Sequence, residues 1–362
     1  MATKTSPDSP GPGRTKAAKL YNPTHRILLA ALPDFERVPT GWAPIDVFTN
    51  GGIPRGATTL ISGAEATGKT TLAEFCLAHY LRQFPNEWGL YINSDNKLDK
   101  QTMLDRGIAL NRMTTLSPST AEEAWWVAYA EAQAQPKLGV IIVDSLASFS
   151  PAKEEIGGEE MALAARLNNK SFRKFTALQL HRLSIGNPLS LLVVNQTRWK
   201  TGLFPTVVLP GGNQQRFQAA LWVKFEKADE HIDKATQIPI AKTFRYTLIK
   251  NEGGATGFPG ETRMATNPHG RWLPNDIIDE EFTWLWATRL GVLQNKGAKG
   301  SEYQGEHGPR EFWVTKWEDS KESYALVKEA TIKAFREWRK GERKISFLQE
   351  PQTVKLQQVT AE

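Results

Sequence analysis

Apolar residues gather in short unbroken runs, and stretches of helical period separate them. TTLIS (58–62), WGLYIN (88–93), LGVIIVDS (138–145) and LSLLVVNQ (189–196) are runs of the first kind. They are short, rich in apolar and β-branched residues, and not interrupted by polar positions, as strands buried on both faces are. Between them, TTLAEFCLAHYLRQF (70–84) sets Leu72, Phe75, Leu77 and Leu81 at helical spacing. AEEAWWVAYAEAQAQ (121–135) and a long segment over about 160–182 also predict helices. ALWVKFEK (220–227) and KTFRYTLIK (242–250) alternate and predict later strands. Strands alternating with helices predict an α/β fold, a mostly parallel sheet with helices on both faces.

The flanks differ from this core. Residues 1–21 are rich in Pro, Gly, Ser and Lys and predict a disordered basic tail. Residues 22–37 hold the amphipathic stretch NPTHRILLAAL, a predicted N-terminal helical segment. The core is expected over 38–270, a small C-terminal α+β domain over 271–345, and a flexible tail over 346–362. EATIKAFREWRKGERK (329–344) reads as a basic helix. No run approaches the roughly 18 apolar residues of a membrane span, and the N-terminus lacks the apolar core of a signal peptide. Cys76, the only cysteine, excludes an internal disulfide framework and a Cys-rich zinc site, and its helical setting predicts a buried core residue. A cytoplasmic location is expected. The 6 histidines show no metal-ligand spacing. Lys+Arg number 45 against 39 Asp+Glu, a net +6, which is compatible with a polyanionic partner and does not require one.

The chemistry begins where the first buried run ends. GAEATGKTT matches G-x-x-x-x-G-K-[ST] from Gly63 to Thr70. Gly63 and Gly68 let the backbone of Glu65, Thr67 and their neighbours turn its N–H groups toward phosphate. Lys69 reaches the terminal phosphates, and the Thr70 hydroxyl is placed for Mg²⁺. Thr71 continues into a helix whose positive end faces the anion. The loop follows a strand and opens a helix, as a nucleoside triphosphate site requires. Asp144, at the end of LGVIIVDS, supplies the acid that holds the ion or polarises a water on it.

The order of motifs resembles the RecA family of homologous recombinases over roughly 38–265. The blocks that carry the resemblance are VPTGWAPIDVFTNGGIPRG, GAEATGKTT, VDSLASFSP, MALAARLNNKSFRKF and VVNQTRWKTGLFPTVVLPGGN. A generic phosphate-loop enzyme would share only the second and third. The length and the want of a long acidic tail look more like a bacteriophage-encoded member than the standard bacterial protein. The resemblance implies a RecA-like ATPase core using ATP and Mg²⁺, self-assembly into helical filaments, and binding of single-stranded and homologous duplex DNA. Gln196 would then sense the γ-phosphate and pass that state to the loop from Thr197 to about Pro210. In that loop Arg198, Trp199, Lys200 and Phe204 offer cations to the sugar–phosphate chain and aromatic faces to bases. Gly211, Gly212 and Asn213 lead into the next helix. EEIGGEEM (154–161) occupies the place of the family's first DNA loop, and Arg166 and Arg173, two turns apart on one face, take the family's DNA-gripping positions.

Three positions depart from the family pattern. Asp95 stands where the family carries the Glu that activates the attacking water, one methylene shorter, so slower hydrolysis is expected. Thr102 stands where an aromatic residue stacks on adenine, which leaves base selectivity open. Of a K-x-K pair that reaches a neighbour's γ-phosphate, Lys250 is kept and Glu252 replaces the second cation. Glu252 could repel phosphate, recruit a cation, or be a plain surface substitution. Three activities fit these residues: an ATP-dependent strand-exchange protein, a ring-shaped helicase on the same core, and a nucleotide-gated single-strand binder with negligible hydrolysis.

Overall fold

A computed structural model describes residues 36–94, 98–150, 158–200, 206–254, 256–269, 272–296, 301–305, 308–312 and 321–343. The expected helix at 22–32, both tails, Asp95 and Phe204 lie outside the described residues. The chain enters through β1 (Arg37–Val38), α1 (Ala43–Phe48) and β2 (Ile53–Pro54), with β1 and β2 paired antiparallel. β3 (Thr58–Gly63), α2 (Lys69–Gln83), β4 (Trp88–Asn93), α3 (Lys100–Asp105), β5 (Met113–Leu116), α4 (Ala121–Ala134), β6 (Leu138–Asp144), α5 (Gly158–Ser184) and β7 (Ser190–Gln196) then alternate. A ribbon of β8 (Arg198–Lys200) and β9 (Thr206–Val208) leads to α6 (Gln214–Gln218) and the long strands β10 (Ala219–Ile232), β11 (Pro239–Asn251) and β12 (Pro259–Ala265), then β13 (Ile277–Ile278). The last part holds α7 (Glu280–Arg289), β14 (Leu293–Asn295), β15 (Ser301–Gly305), β16 (Gly308–Phe312) and α8 (Lys321–Arg339).

Among the described residues nine strands form one sheet in the order β13-β12-β11-β10-β3-β7-β6-β4-β5. The pairs from β10 to β5 are parallel, and β10 through β13 are antiparallel. The unbroken apolar runs have a simple cause. Along β6, Ile141 and Val143 join the cluster that includes Trp125, Phe172 and Phe175 of α4 and α5, while Val140 and Ile142 join Leu72, Cys76 and Leu77 of α2. Side chains alternate between faces and both faces are dry, so every position is apolar. Cys76 is fully buried, as expected.

Element boundaries follow local chemistry. The Thr120 hydroxyl accepts from the Glu123 backbone N–H at 3.2 Å, and the Glu123 carboxylate accepts from the Ser119 N–H at 2.7 Å, which starts α4. Helix α3 and edge strand β5 were not expected from sequence. They span only 6 and 4 residues, too short and too polar for their period to register.

The C-terminal elements share one apolar cluster with the sheet: Phe335, Ala334 and Val327 of α8 and Ala287 of α7 are continuous with Val38, Trp42 and Phe48. Phe48 is the central contact. Its ring lies 4.7 Å from Phe258, 5.5 Å from Phe282, 5.3 Å from Trp286 and 5.6 Å from Phe335. Polar contacts close the same junction. Asp279 accepts from the Ala43 N–H at 2.6 Å, and Lys328 bridges Asp279 and the Gly41 carbonyl at 3.0 and 2.8 Å. Phe48→Ala is expected to lower stability by about 3–5 kcal/mol in denaturant unfolding, since it removes the ring shared by four partners.

Candidate active site and nucleic-acid interface

The phosphate loop is wedged against the strands that follow it in space. Gly63 ends β3 at φ 155°, where an added Cβ would lie 2.7 Å from the Phe225 carbonyl oxygen. Gly68 sits at φ 101°, and an added Cβ would strike the Phe244 ring at 2.5 Å. Only glycine meets both the left-handed backbone and the close approach. Lys69 is the first residue of α2 and only 6% exposed. Its ammonium donates to the Ala64 carbonyl within the loop. Burial lowers its pKa, and Asp144 and Glu65 oppose that shift.

The Thr70 hydroxyl donates to Asp144 Oδ2 at 2.7 Å, and the Tyr91 hydroxyl donates to the same oxygen at 2.9 Å. Tyr91 was missed in the sequence, where it is one apolar position of the β4 run. The loop opens on a cleft of about 350 Å³ lined by Glu65, Thr67, Gly68, Lys69, Thr70, Thr71, Asp144 and Gln196. These predicted residues are therefore brought together. Lys242, Phe244 and Met264 complete the wall. They come from β11 and β12, where alternation marks a strand and nothing marks a ligand contact. Among the described residues no cluster of three or more His, Cys, Asp or Glu could hold a metal. One hydroxyl and one carboxylate do fit Mg²⁺, which takes most of its oxygens from phosphate and water. Thr102 is not in this wall; its hydroxyl and backbone N–H both donate to Asp99 Oδ2 at 2.7 Å, so it serves the start of α3.

The second predicted loop starts at the cleft. Gln196 is the residue of β7 registered opposite Gly63, and the Thr197 N–H donates to the Gly63 carbonyl at 3.0 Å. Arg198 then donates to the Ala147 carbonyl at 3.1 Å. Where an irregular loop was expected, β8 and β9 pair as an antiparallel ribbon, Arg198 opposite Val208 and Lys200 opposite Thr206. The β-branched TVV stretch favours this pairing. Trp199 and Lys200 belong to β8.

The loop's exit is held by amides. Asn195 and Gln215 are fully buried. Asn195 Nδ2 donates to the Pro210 carbonyl at 2.8 Å and to Gln215 Oε1 at 2.7 Å, and Gln215 Nε2 donates to the carbonyls of Pro210 and Gly212. Gly211 and Gly212 adopt φ 88° and 84°. A Cβ on Gly212 would meet Asn169 Oδ1 at 2.5 Å, and that oxygen accepts from the Gln214 N–H at 3.0 Å. Asn213 precedes α6 without a side-chain cap bond. The sequence reading missed this network, because buried amides carry no periodic signal.

Helix α5 faces the same region. Arg166 and Arg173 are both exposed, and neither has an ion pair or hydrogen bond among the described residues. A depression of about 220 Å³ runs between the end of β6, α5 and the loop's two ends, lined by Leu146–Ser150, Ala164, Asn168, Arg198, Pro210 and Gly211. The first half of EEIGGEEM, 154–157, lies outside the described residues, and its second half opens α5.

Lys250 and Glu252 sit elsewhere. Lys250 pairs in register with Trp222, and Trp222 with Leu60. Strand geometry puts it about 10 Å below the phosphate loop along β3 and about 10 Å across the sheet. Its ammonium donates to the Phe217 carbonyl at 3.0 Å and pairs with Glu252 at 2.9 Å. Neither residue lines the cleft of its own chain.

The model of the RecA N-terminal domain matches residues 28–258, more than half of the chain. The chain belongs to the RecA family. Protein RecA of Caldanaerobacter subterraneus subsp. tengcongensis is 30% identical over 223 residues, which is 60% of this chain and 62% of that protein. Protein RecA of Borrelia duttonii is 30% identical over 223 residues, 60% of this chain and 59% of its own length. Protein RecA of Syntrophus aciditrophicus is 29% identical over 281 residues, 76% and 77% respectively. The chain thus spans about three fifths of the length of the first two curated relatives. The matched RecA region includes the phosphate loop, Asp144, Gln196, the amide-held glycines and Lys250. Gly212→Ala is expected to cost about 1–3 kcal/mol through positive φ and the Asn169 clash. Limited proteolysis would show it as faster cleavage within 197–213.

Proposed function

We propose that this protein is an ATP-dependent recombinase that coats single-stranded DNA as a helical filament and pairs it with homologous duplex DNA. The observation that carries this reading is the shared backbone between Gly63 and Gln196. One side of that contact is the nucleotide cleft, and the other is the first residue of the DNA loop. Nucleotide state and loop order are then two readings of one structural element.

Mg²⁺ bound with ATP would neutralise charge on the phosphates, held by the Thr70 hydroxyl with Asp144 behind it. The protein's own groups do the rest. The loop N–H groups and Lys69 orient the triphosphate. Gln196 reaches the terminal phosphate from the end of β7. Asp95 follows β4 and is assigned to orient the attacking water and take its proton; with a shorter side chain than Glu, turnover is slow. Arg166, Arg173, Arg198, Trp199, Lys200, Phe204, Gly211, Gly212 and Asn213 are assigned to single-strand binding, with Arg198 and Gly211 on the depression beside α5. Lys250 serves the nucleotide of a neighbouring subunit, since it lies far from its own. A head-to-tail contact of this kind repeats into an open helix. No helix of the described residues is long and apolar enough to cross a membrane, and a cytoplasmic site of action is proposed.

The Asp95 substitution favours one second reading, an ATP-gated single-strand clamp with negligible hydrolysis. ATP turnover with and without single-stranded DNA, beside electron micrographs of the same mixtures, separates the two. Stimulated turnover with helical filaments is expected; filaments without turnover would move the assignment to the clamp, and closed rings would point to a helicase. Asp95→Asn is expected to abolish turnover while ATP binding survives. The double variant Arg166→Ala, Arg173→Ala is expected to weaken single-strand binding and to reduce the log–log salt slope by about 1.4, roughly 0.7 per lost phosphate contact. An unchanged slope in a binding titration would remove both arginines from the DNA surface.

A further inference from the structure

Three arginines from distant parts of the chain converge on two turns at the end of the sheet opposite the nucleotide cleft. Arg37 donates to the Glu252 carbonyl at 2.6 Å and to the Gly52 carbonyl at 3.3 Å. Arg336 of α8 donates to the Asn50 carbonyl at 2.5 Å. Arg339, one turn further along α8, donates to the Gly254 carbonyl at 2.9 Å. Asn50 joins the two turns by donating from Nδ2 to the Gly253 carbonyl at 2.9 Å.

Both turns are built so that backbone, not side chain, meets these donors. Asn50, Gly51, Gly52 and Gly253 all have positive φ. An added Cβ on Gly52 would lie 1.9 Å from the Val38 carbonyl oxygen, and one on Gly51 would lie 3.2 Å from Arg336 Nη2. Carbonyls in such turns have no ladder partner and need donors from elsewhere. Gathering like charges to supply them is costly; burial and the nearby Arg336 push the Arg37 pKa down to about 10. The Glu252 carboxylate is engaged by Lys250. So the cations here are arranged around main-chain oxygens.

Helix α8 is well anchored for this task. Phe335 packs on Phe48, Lys328 ties the helix to Asp279 and Gly41, and Asn251 donates to the Phe48 carbonyl at 3.0 Å. The same residue therefore supports the helix through its ring and the start of the turn through its carbonyl.

We propose that Arg336 and Arg339, with Arg37, are positioning residues for Lys250: the C-terminal helix is a strut that holds the Asn251–Gly254 turn so that Lys250 is presented to the nucleotide of a neighbouring subunit. This rests on the filament reading given above. The strut acts in the subunit that donates Lys250, not in the subunit whose ATP is cleaved.

Mixed filaments on single-stranded DNA test it through ATP turnover. Lys69→Ala chains donate Lys250 but cannot use ATP; Lys250→Ala chains use ATP but donate no lysine. Each alone is expected to be inactive, and the equimolar mixture is expected to regain turnover. Adding Arg336→Ala and Arg339→Ala to the Lys69→Ala donor should cut that turnover on the order of tenfold, as a shift of the lysine by a fraction of an ångström to 1 Å would. Adding the same two changes to the Lys250→Ala partner should leave it unchanged. Equal loss in both arms would make the arginines general stabilisers and overturn the proposal, as would no loss in either arm. Failure of the parent mixture to regain turnover would instead remove Lys250 from the neighbour's site, and the strut with it.

Discussion

The pairing of β3 with β7 is the constraint on which the rest of the molecule depends. Two parallel strands placed side by side deliver their last residues, Gly63 and Gln196, to one point. From that point the chain leaves twice, once as the phosphate loop and once as the segment that begins at Thr197. The Thr197 N–H on the Gly63 carbonyl joins the two departures by a main-chain bond. Only proline at position 197, which has no N–H, would remove that bond directly, so the join belongs to the fold more than to a particular side chain. Helices on both faces keep this centre dry, and the dryness requires the runs of Val, Ile and Leu that the strands show.

Much of the core was legible in the sequence for this reason. A strand buried on both faces must be apolar at every position, and a phosphate loop must carry glycine where backbone folds tightly. Both demands are local, so both appear as local patterns. What was not legible depends on meetings across the fold. Lys242, Phe244 and Met264 reach the cleft from β11 and β12 after a chain reversal, and their strands announce only alternation. Tyr91 is indistinguishable in sequence from the aliphatic residues beside it, yet its hydroxyl is bound to Asp144. The Asn195–Gln215 network joins a strand to a short helix through amides, which have no period. The β8–β9 ribbon was hidden because Trp199 and its neighbours look equally suited to an irregular loop.

The C-terminal elements show the same distinction at larger scale. Composition changes after about 270, and that change is visible in the sequence. It does not reveal that Phe48, from the first described helix, sits among Phe258, Phe282, Trp286 and Phe335. Five rings from four parts of the chain make the first and last described helices parts of one hydrophobic unit. Asp279 and Lys328 sit beside it and satisfy backbone groups that this close packing would otherwise strand.

The pair of hydroxyls on Asp144 has a kinetic meaning. Thr70 and Tyr91 both donate to one carboxylate oxygen, so that oxygen is held from two sides. With a cation held at the Thr70 oxygen, that hydroxyl would only have to rotate, and Tyr91 would keep the carboxylate from swinging. Loading is thus a change of partner within a rigid frame, with little to rebuild. A site of this kind has little to rearrange between its empty and loaded forms.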